Sequence, residues 1–296
     1  MKKLIFSLAA LALLLPSCQT QEQVLVNEEV IAPEIIASVE TNPSTRTLIE
    51  VDQLGEGTIY WTPADEINIF YGTTSVHYTS QNTVNATTAV FRTTEIIGST
   101  ESASTNIWGL YPYDEDAVST GTAISTTLPA TQYGVPGTFD DDLYVTLAHS
   151  TSNALKFFNV CGGIKFSLSR EDITSVTFKG NNNEDLAGGI SLTFENDLPK
   201  ATVVNGVKEV TLTPKTGTTF AKDVNYYLIL LPGSLPGGFT MTFTTSGGIV
   251  GTFNYSAGAV TIKRSIFSKK AEIDTYATYE EEPNGTIIPG FENIDM

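Results

Sequence analysis

What most constrains this chain is a period of two. Ile164-Lys165-Phe166-Ser167-Leu168 puts three apolar side chains on one face, and Phe239, Met241 and Phe243 alternate with Thr240, Thr242 and Thr244. Residues that repeat every second position fit a strand with one buried face, whereas a helix would scatter them around its axis. The same texture recurs at 75–79, 88–92, 124–128 and 249–255. No convincing amphipathic helical pattern accompanies it. The expected fold is all-β.

A length of 296 residues suggests two domains. Hydrophobic residues make up 41 % and charged ones 17 %, so a sizeable core forms while hydroxyl-rich faces stand where charged ones usually do. The texture changes near Val160, where Cys161-Gly162-Gly163 leads into the alternating run from Ile164. This places a boundary within 151–160 and predicts units over 47–155 and 156–274, followed by a tail, 275–296. The aromatic stretch 106–113 is expected at the centre of the first core, and 226–231 as the central strand of the second. Segments 58–61 and 66–71 read as a hairpin around Thr62 to Asp65. Asn205-Gly206 reads as a two-residue hairpin turn.

The N-terminus has a different character. Lys2 and Lys3 precede an apolar run, 4–15, broken only by Ser7 and closed by Pro16, Ser17 and Cys18. Such a run is too short to span a bilayer as a helix and matches the core of a secretory signal. Leu15-Pro16-Ser17-Cys18 also resembles a bacterial lipobox, in which the thiol after a small residue receives lipid. Residues 1–17 are therefore expected to be a signal peptide and Cys18 the lipidated membrane anchor. A polar tether, 19–23, leads into a β-branched stretch, 24–39, whose Pro33 suits an edge strand. Arg46 is the only Lys or Arg between Lys3 and Arg92. The bond between Arg46 and Thr47 is thus an isolated tryptic-type site, and 18–46 reads as a tether plus a removable strand; a plain linker is the blander reading.

Charge and motifs exclude several classes. Net charge is −17, and losing Lys2 and Lys3 with an acid-free leader takes it to −19. Such a surface repels phosphate backbones and anionic membranes, which argues against nucleic acid and leaves lipid as the anchor. With Cys18 spent, Cys161 alone remains, so no intrachain disulfide forms. Cys161 reads as a small buried hydrophobe, since no His lies near it in sequence to activate it. His77 and His149 lack a metal spacing, and no Gly-x-Ser-x-Gly, P-loop or dinucleotide pattern occurs. The clusters Asp114-Glu115-Asp116 and Asp140-Asp141-Asp142 lack a calcium-loop pattern. The expectation is a protein that is not an enzyme and holds no cofactor or metal.

Several of these elements, in order, carry a family resemblance: Cys18, Arg46 in Thr-Arg-Thr, Trp61 with Asp65 to Phe70, and Gly109-Leu-Tyr-Pro-Tyr113. Gln132 ahead of Phe139-Asp140, Phe158-Asn-Val-Cys-Gly-Gly-Ile-Lys-Phe166, Leu186-Ala-Gly-Gly189, and Tyr226 to Pro232 continue it. The chain resembles the fimbrillins, the type V pilins of Gram-negative anaerobes. That resemblance implies two tandem transthyretin-like β-sandwich domains in a lipidated precursor at the outer membrane. It implies cleavage by an arginine-specific protease after Arg46, loss of the N-terminal strand, and strand addition from another fimbrial subunit to form an adhesive fimbria at the cell surface. Host protein or glycan would be further partners. The tail, 275–296, would be the candidate donor strand, but Pro283, Pro289 and the run Glu280-Glu281-Glu282 depart from an alternating donor and suggest a tip or accessory subunit. The alternative reading is an outer-membrane glycan-binding lipoprotein, which requires exposed aromatics; burial of Trp61, Trp108 and Tyr111 discriminates the two.

Overall fold

The computed structural model describes residues 28–40, 50–51, 57–58 and 60–280. Among these the chain is all-β, as the alternation predicts, with helix confined to Ser99–Ser102 and a 3-10 turn at Ile273–Tyr276.

Seven strands close on themselves: β1 (Ile35–Val39), β2 (Glu66–Tyr71), β3 (Thr74–Ser80), β4 (Thr88–Arg92), β5 (Ile107–Tyr111), β6 (Thr146–Ser150) and β7 (Ala154–Asn159). The order around the ring is β6-β7-β1-β4-β3-β2-β5 and back to β6. Every pairing is antiparallel except that of β1 with β7. Closure leaves no ladder of unpaired backbone groups at an edge. Trp61 fills the interior, meeting Phe91, Tyr111 and Phe157 edge-on at centroid distances of 5.0, 5.3 and 5.2 Å, a favoured arrangement for aromatic quadrupoles.

A second, larger core is built by β8 (Gly162–Phe166), β9 (Ile173–Gly180), β10 (Ala187–Glu195), β11 (Leu198–Val207), β12 (Glu209–Pro214), β13 (Tyr226–Leu230), β14 (Phe239–Thr245) and β15 (Val250–Tyr255). Its broadest sheet runs Thr138–Phe139, Thr131–Val135, β12, β9, β14, β15, Thr278–Glu280. The chain passes between the two cores more than once. Ile124–Leu128 pairs with β10, and Thr131–Val135 runs parallel to β12, so residues from the first half of the sequence complete sheets of the second. Strand β5 serves both cores: Ile107 and Tyr111 point into the ring, Trp108 and Leu110 into the larger core. Burial of both faces explains its unbroken apolar run.

Local readings differ in four places. Segments 58–61 and 66–71 do not pair; Trp61 bridges to Ala86 instead. The intervening turn is held by the Asp65 carboxylate, which accepts from the Thr62 amide at 2.7 Å and hydroxyl at 2.6 Å. Asn205-Gly206 is not a turn but lies within β11. The reversal falls at Asn196 and Asp197, whose φ values of 52° and 61° are those of a type I′ hairpin. Gly206 is there for space, since a Cβ would sit 1.7 Å from Asp185 Oδ1. Strand β13 is core but pairs along one edge only, with β8. Along its other edge the buried Gln132 side chain donates to the Ile229 carbonyl at 2.8 Å and accepts from its amide at 3.0 Å, standing in for a strand. Finally, Pro33 does not mark an edge strand. It sits in the link between Glu29–Ile31, which pairs outside the ring with Ile96–Gly98, and β1 in the ring wall.

Candidate functional site

Strand β1 is the ring strand that precedes Arg46 in the sequence. It is flanked on both sides, with Ile35 opposite Phe91 and Ala37 opposite Ala89 on β4, and Ile36 beside Ala154 on β7. Its alternation is that of a half-buried strand: Ile35, Ala37 and Val39 point into the core, while Ile36 is 48 % exposed. Burying Ile35 and Val39 is worth about 1.5–3 kcal/mol each by area. The backbone continues to bond beyond the strand, with the Val39 amide on the Thr87 carbonyl at 3.1 Å and the Glu40 amide on the Phe157 carbonyl at 2.9 Å.

Two polar devices fasten its ends. At the start, the Tyr71 hydroxyl meets that of Tyr78 at 2.8 Å, and Tyr78 donates to the Pro33 carbonyl at 2.7 Å. Tyr71 therefore donates to Tyr78, and two phenols inside the ring are satisfied through one backbone oxygen of the N-terminal segment. Burial pushes the pKa of both upward.

At the other end stands Glu40. Its carboxylate takes a two-pronged contact from Arg264, Nη1 to Oε2 at 2.7 Å and Nη2 to Oε1 at 2.9 Å. Oε2 also accepts from the Asn159 amide and Nδ2, both at 3.2 Å, and from Ser265 Oγ at 3.4 Å. The side chains of Arg264 and Glu40 are 19 % and 10 % exposed. The Arg92–Glu34 pair, at 2.7 Å, is by contrast 62 % and 44 % exposed and contributes little. Arg264 is carried to Glu40 by a close backbone approach. A Cβ on Gly162 would lie 2.0 Å from the Lys263 carbonyl oxygen, and one on Gly163 2.0 Å from that of Leu228. The Cys161 carbonyl accepts the Ser265 amide at 2.8 Å. The Cys-Gly-Gly motif thus lets the turn bearing Arg264 settle against β8. Sequence reasoning missed this pair, whose members are 224 positions apart.

Cys18, Arg46 and Thr47 lie outside the described residues, as does the tail beyond residue 280. The start of that tail is committed within the molecule: Thr278–Glu280 pairs with Val250 to Thr252, and the Tyr279 ring covers Gly251. Trp61, Trp108 and Tyr111 are buried. His77 lies in β3 against the Tyr113 ring, and His149 in β6 against Trp108, its Nε2 2.9 Å from Asn106 Oδ1. Asp114 is engaged locally, accepting from the Asp116 amide at 2.9 Å and from Thr126 Oγ1 at 2.6 Å. Asp140 is buried and paired with Lys215. Among the described residues no cluster of His, Cys, Asp and Glu is arranged to hold a metal. The buried Cys161 thiol has its pKa pushed up to about 12 by loss of solvent, so at neutral pH it is protonated and a poor nucleophile.

No family model matches the chain, and no curated protein matches it. Among solved structures it is similar to a "putative cell adhesion protein" from Bacteroides ovatus ATCC 8483, with 14 % identity and a TM-score of 0.44, covering 85 % of this chain and 96 % of that one. It is also similar to a fimbrial protein from the same organism, with 11 % identity and a TM-score of 0.35, over 82 % of this chain and 49 % of that one. A second "putative cell adhesion protein", from Bacteroides thetaiotaomicron VPI-5482, aligns at 10 % identity and a TM-score of 0.34, over 71 % of this chain and 80 % of that one. These are distant likenesses.

Proposed function

We propose that this chain is a structural or adhesive subunit of a cell-surface fimbria. It is exported as a precursor lipidated at Cys18, anchored in the outer membrane, cut after Arg46 and assembled by strand exchange. The observation that carries the reading is β1. The strand Ile35–Val39, downstream of the proposed anchor Cys18 in the sequence, occupies a full strand position in the ring wall, and an isolated arginine follows it six positions beyond Glu40. Cutting the chain there frees the strand of its covalent hold without touching the rest of the ring. Its departure leaves β4 and β7 with unpaired backbone and uncovers the apolar groups around Ile35 and Val39, both costly in water. An extended segment of another subunit restores both sets of interactions by strand addition.

Trp61, Trp108 and Tyr111 are buried and so are not available to an aromatic platform of the kind the glycan-binding alternative needs, which favours the fimbrial reading. The test is cleavage itself. With an arginine-specific protease and a second subunit present, the wild-type chain is expected to form multimers, whereas Arg46→Ala stays monomeric on gel filtration. Equal association of the two, with the wild type cut at Arg46, overturns the proposal.

A further inference from the structure

The contacts around Glu40 say what a replacement strand must carry, given the strand-exchange reading on which this inference rests. Glu40 is the first residue after the three inward positions of β1, and its carboxylate collects both prongs of Arg264 together with donors from Asn159 and Ser265. None of these donors belongs to the N-terminal segment. Arg264 and Ser265 follow the short strand Val260–Ile262, and Asn159 ends β7. They stay behind when residues up to 46 leave. Arg264 then keeps one acceptor, the Asn159 carbonyl at 2.9 Å, but its two-pronged partner is gone. Its 19 % exposure belongs to the filled slot, where Glu40 itself covers it. Once that segment leaves, the lost two-pronged contact is replaced only by water and the one remaining carbonyl, so a strand that brings a carboxylate back is favoured over one that does not.

We propose that Arg264, Asn159 and Ser265 form a carboxylate receptor that selects the incoming strand. The required strand has apolar residues at the places of Ile35 and Val39, a small residue at the place of Ala37, and Asp or Glu at the place of Glu40. The small residue follows from geometry, because Ala37 is fully buried opposite Ala89. The acid fixes register as well as identity. Sliding the strand by one residue would turn its buried face outward, and sliding it by two would leave the receptor facing an uncharged position.

The experiment uses the full chain cut at Arg46 and fluorescent, C-terminally amidated peptides of residues 28–45, supplied in excess to displace the resident fragment and followed by anisotropy. Three peptides are compared: native, Glu40→Gln and Glu34→Gln. The last has the same net charge as the second but alters only the exposed pair with Arg92. We expect the Glu40→Gln peptide to bind about tenfold or more weakly than the native one, and Glu34→Gln to bind within about twofold of it. Equal binding of the native and Glu40→Gln peptides overturns the receptor while leaving strand exchange intact. Equal weakening by both substitutions overturns it too, since it reports bulk charge. If no peptide binds, the strand-exchange reading fails and the receptor falls with it. An Arg264→Gln chain that folds is expected to lose the preference for Glu at position 40. Because the decisive substitutions are in the peptide, the outcome does not depend on that variant folding.

Discussion

At the scale of single residues, the buried phenols set how the protein responds to base. Tyr111 and Tyr144 are enclosed, their hydroxyls donating to the carbonyls of Asp141 at 3.2 Å and Cys161 at 3.3 Å, and burial holds both pKa values well above the usual phenol range. Tyr227 is pushed up to about 12 by the same cause. In the unfolded chain these groups ionise near pH 10. The folded state keeps its protons past that point, so the stability they contribute is intact below about pH 10 and is lost as pH rises above it. Each fully buried phenol removes about 1.4 kcal/mol per pH unit in that range. Urea midpoints are expected to be flat to about pH 9 and to fall beyond it, less steeply in a Tyr144→Phe variant; a midpoint insensitive to base would show that the phenols are solvated. Such residues were legible in part. That Tyr111 and Tyr227 are core follows from their setting in the aromatic stretch 106–113 and the continuous apolar run 226–231, whereas burial of Trp61 has no such signal. That Glu40 ends opposite Arg264 does not follow, because a period of two says which face is buried and nothing about which distant turn closes over the end of a strand.

At the scale of elements, β1 is held too well to drift away on scission alone. It has partners on both sides, three inward side chains, and the fastenings at Pro33 and Glu40. After a cut at Arg46 the fragment is expected to co-elute with the body on native gel filtration, although mass spectrometry shows the chain cleaved, and to separate only when a competing strand or denaturant is added. Prompt loss of the fragment would mean that the ring tolerates a missing strand. The chain's own tail should not displace it. Ile287, Phe291 and Glu292 reproduce the apolar and acidic places, but Pro289 falls at that of Ala37 and lacks an amide in a strand with two neighbours. Most strands were legible from alternation and most of their ends from turn residues. The exceptions share a cause. Asn205-Gly206 looked like a turn because glycine was assumed to serve backbone angle, when here it makes room for Asp185. Pro33 resembles an edge marker in sequence because the β-branched residues on its two sides are continuous in texture although they form two strands.

At the scale of the whole molecule there are two cores, and they are not cut from consecutive halves of the chain. Ile124–Leu128 pairs with β10 and Thr131–Val135 with β12, so strands of the first half complete sheets of the second, and β5 is walled by both cores. We therefore expect one cooperative unfolding transition, with near- and far-ultraviolet dichroism and tryptophan fluorescence coinciding in urea. A fragment of residues 156–280, lacking the strands between Val118 and Phe139 that these sheets include, is expected not to fold alone; two separated transitions, or a stable fragment, would contradict this. The division at 155/156 was read from local texture, which records how each strand meets solvent. Partner choice between strands far apart in the chain leaves no comparable periodic trace.

The ring wall also has a mass-action consequence. While residue 46 is joined to residue 47, β1 is an intramolecular ligand of its own slot, present at an effective concentration on the order of millimolar. A competing strand dissolved at micromolar levels is outnumbered by about a thousandfold before any difference in fit is counted. Proteolysis at Arg46 abolishes that advantage in one step. Under the proposed scheme the freed segment competes for the slot only as a separate molecule, and a strand of equal affinity on a neighbouring subunit no longer faces a tethered rival. Under that scheme the cut need not alter a single contact in the slot to reverse which strand occupies it.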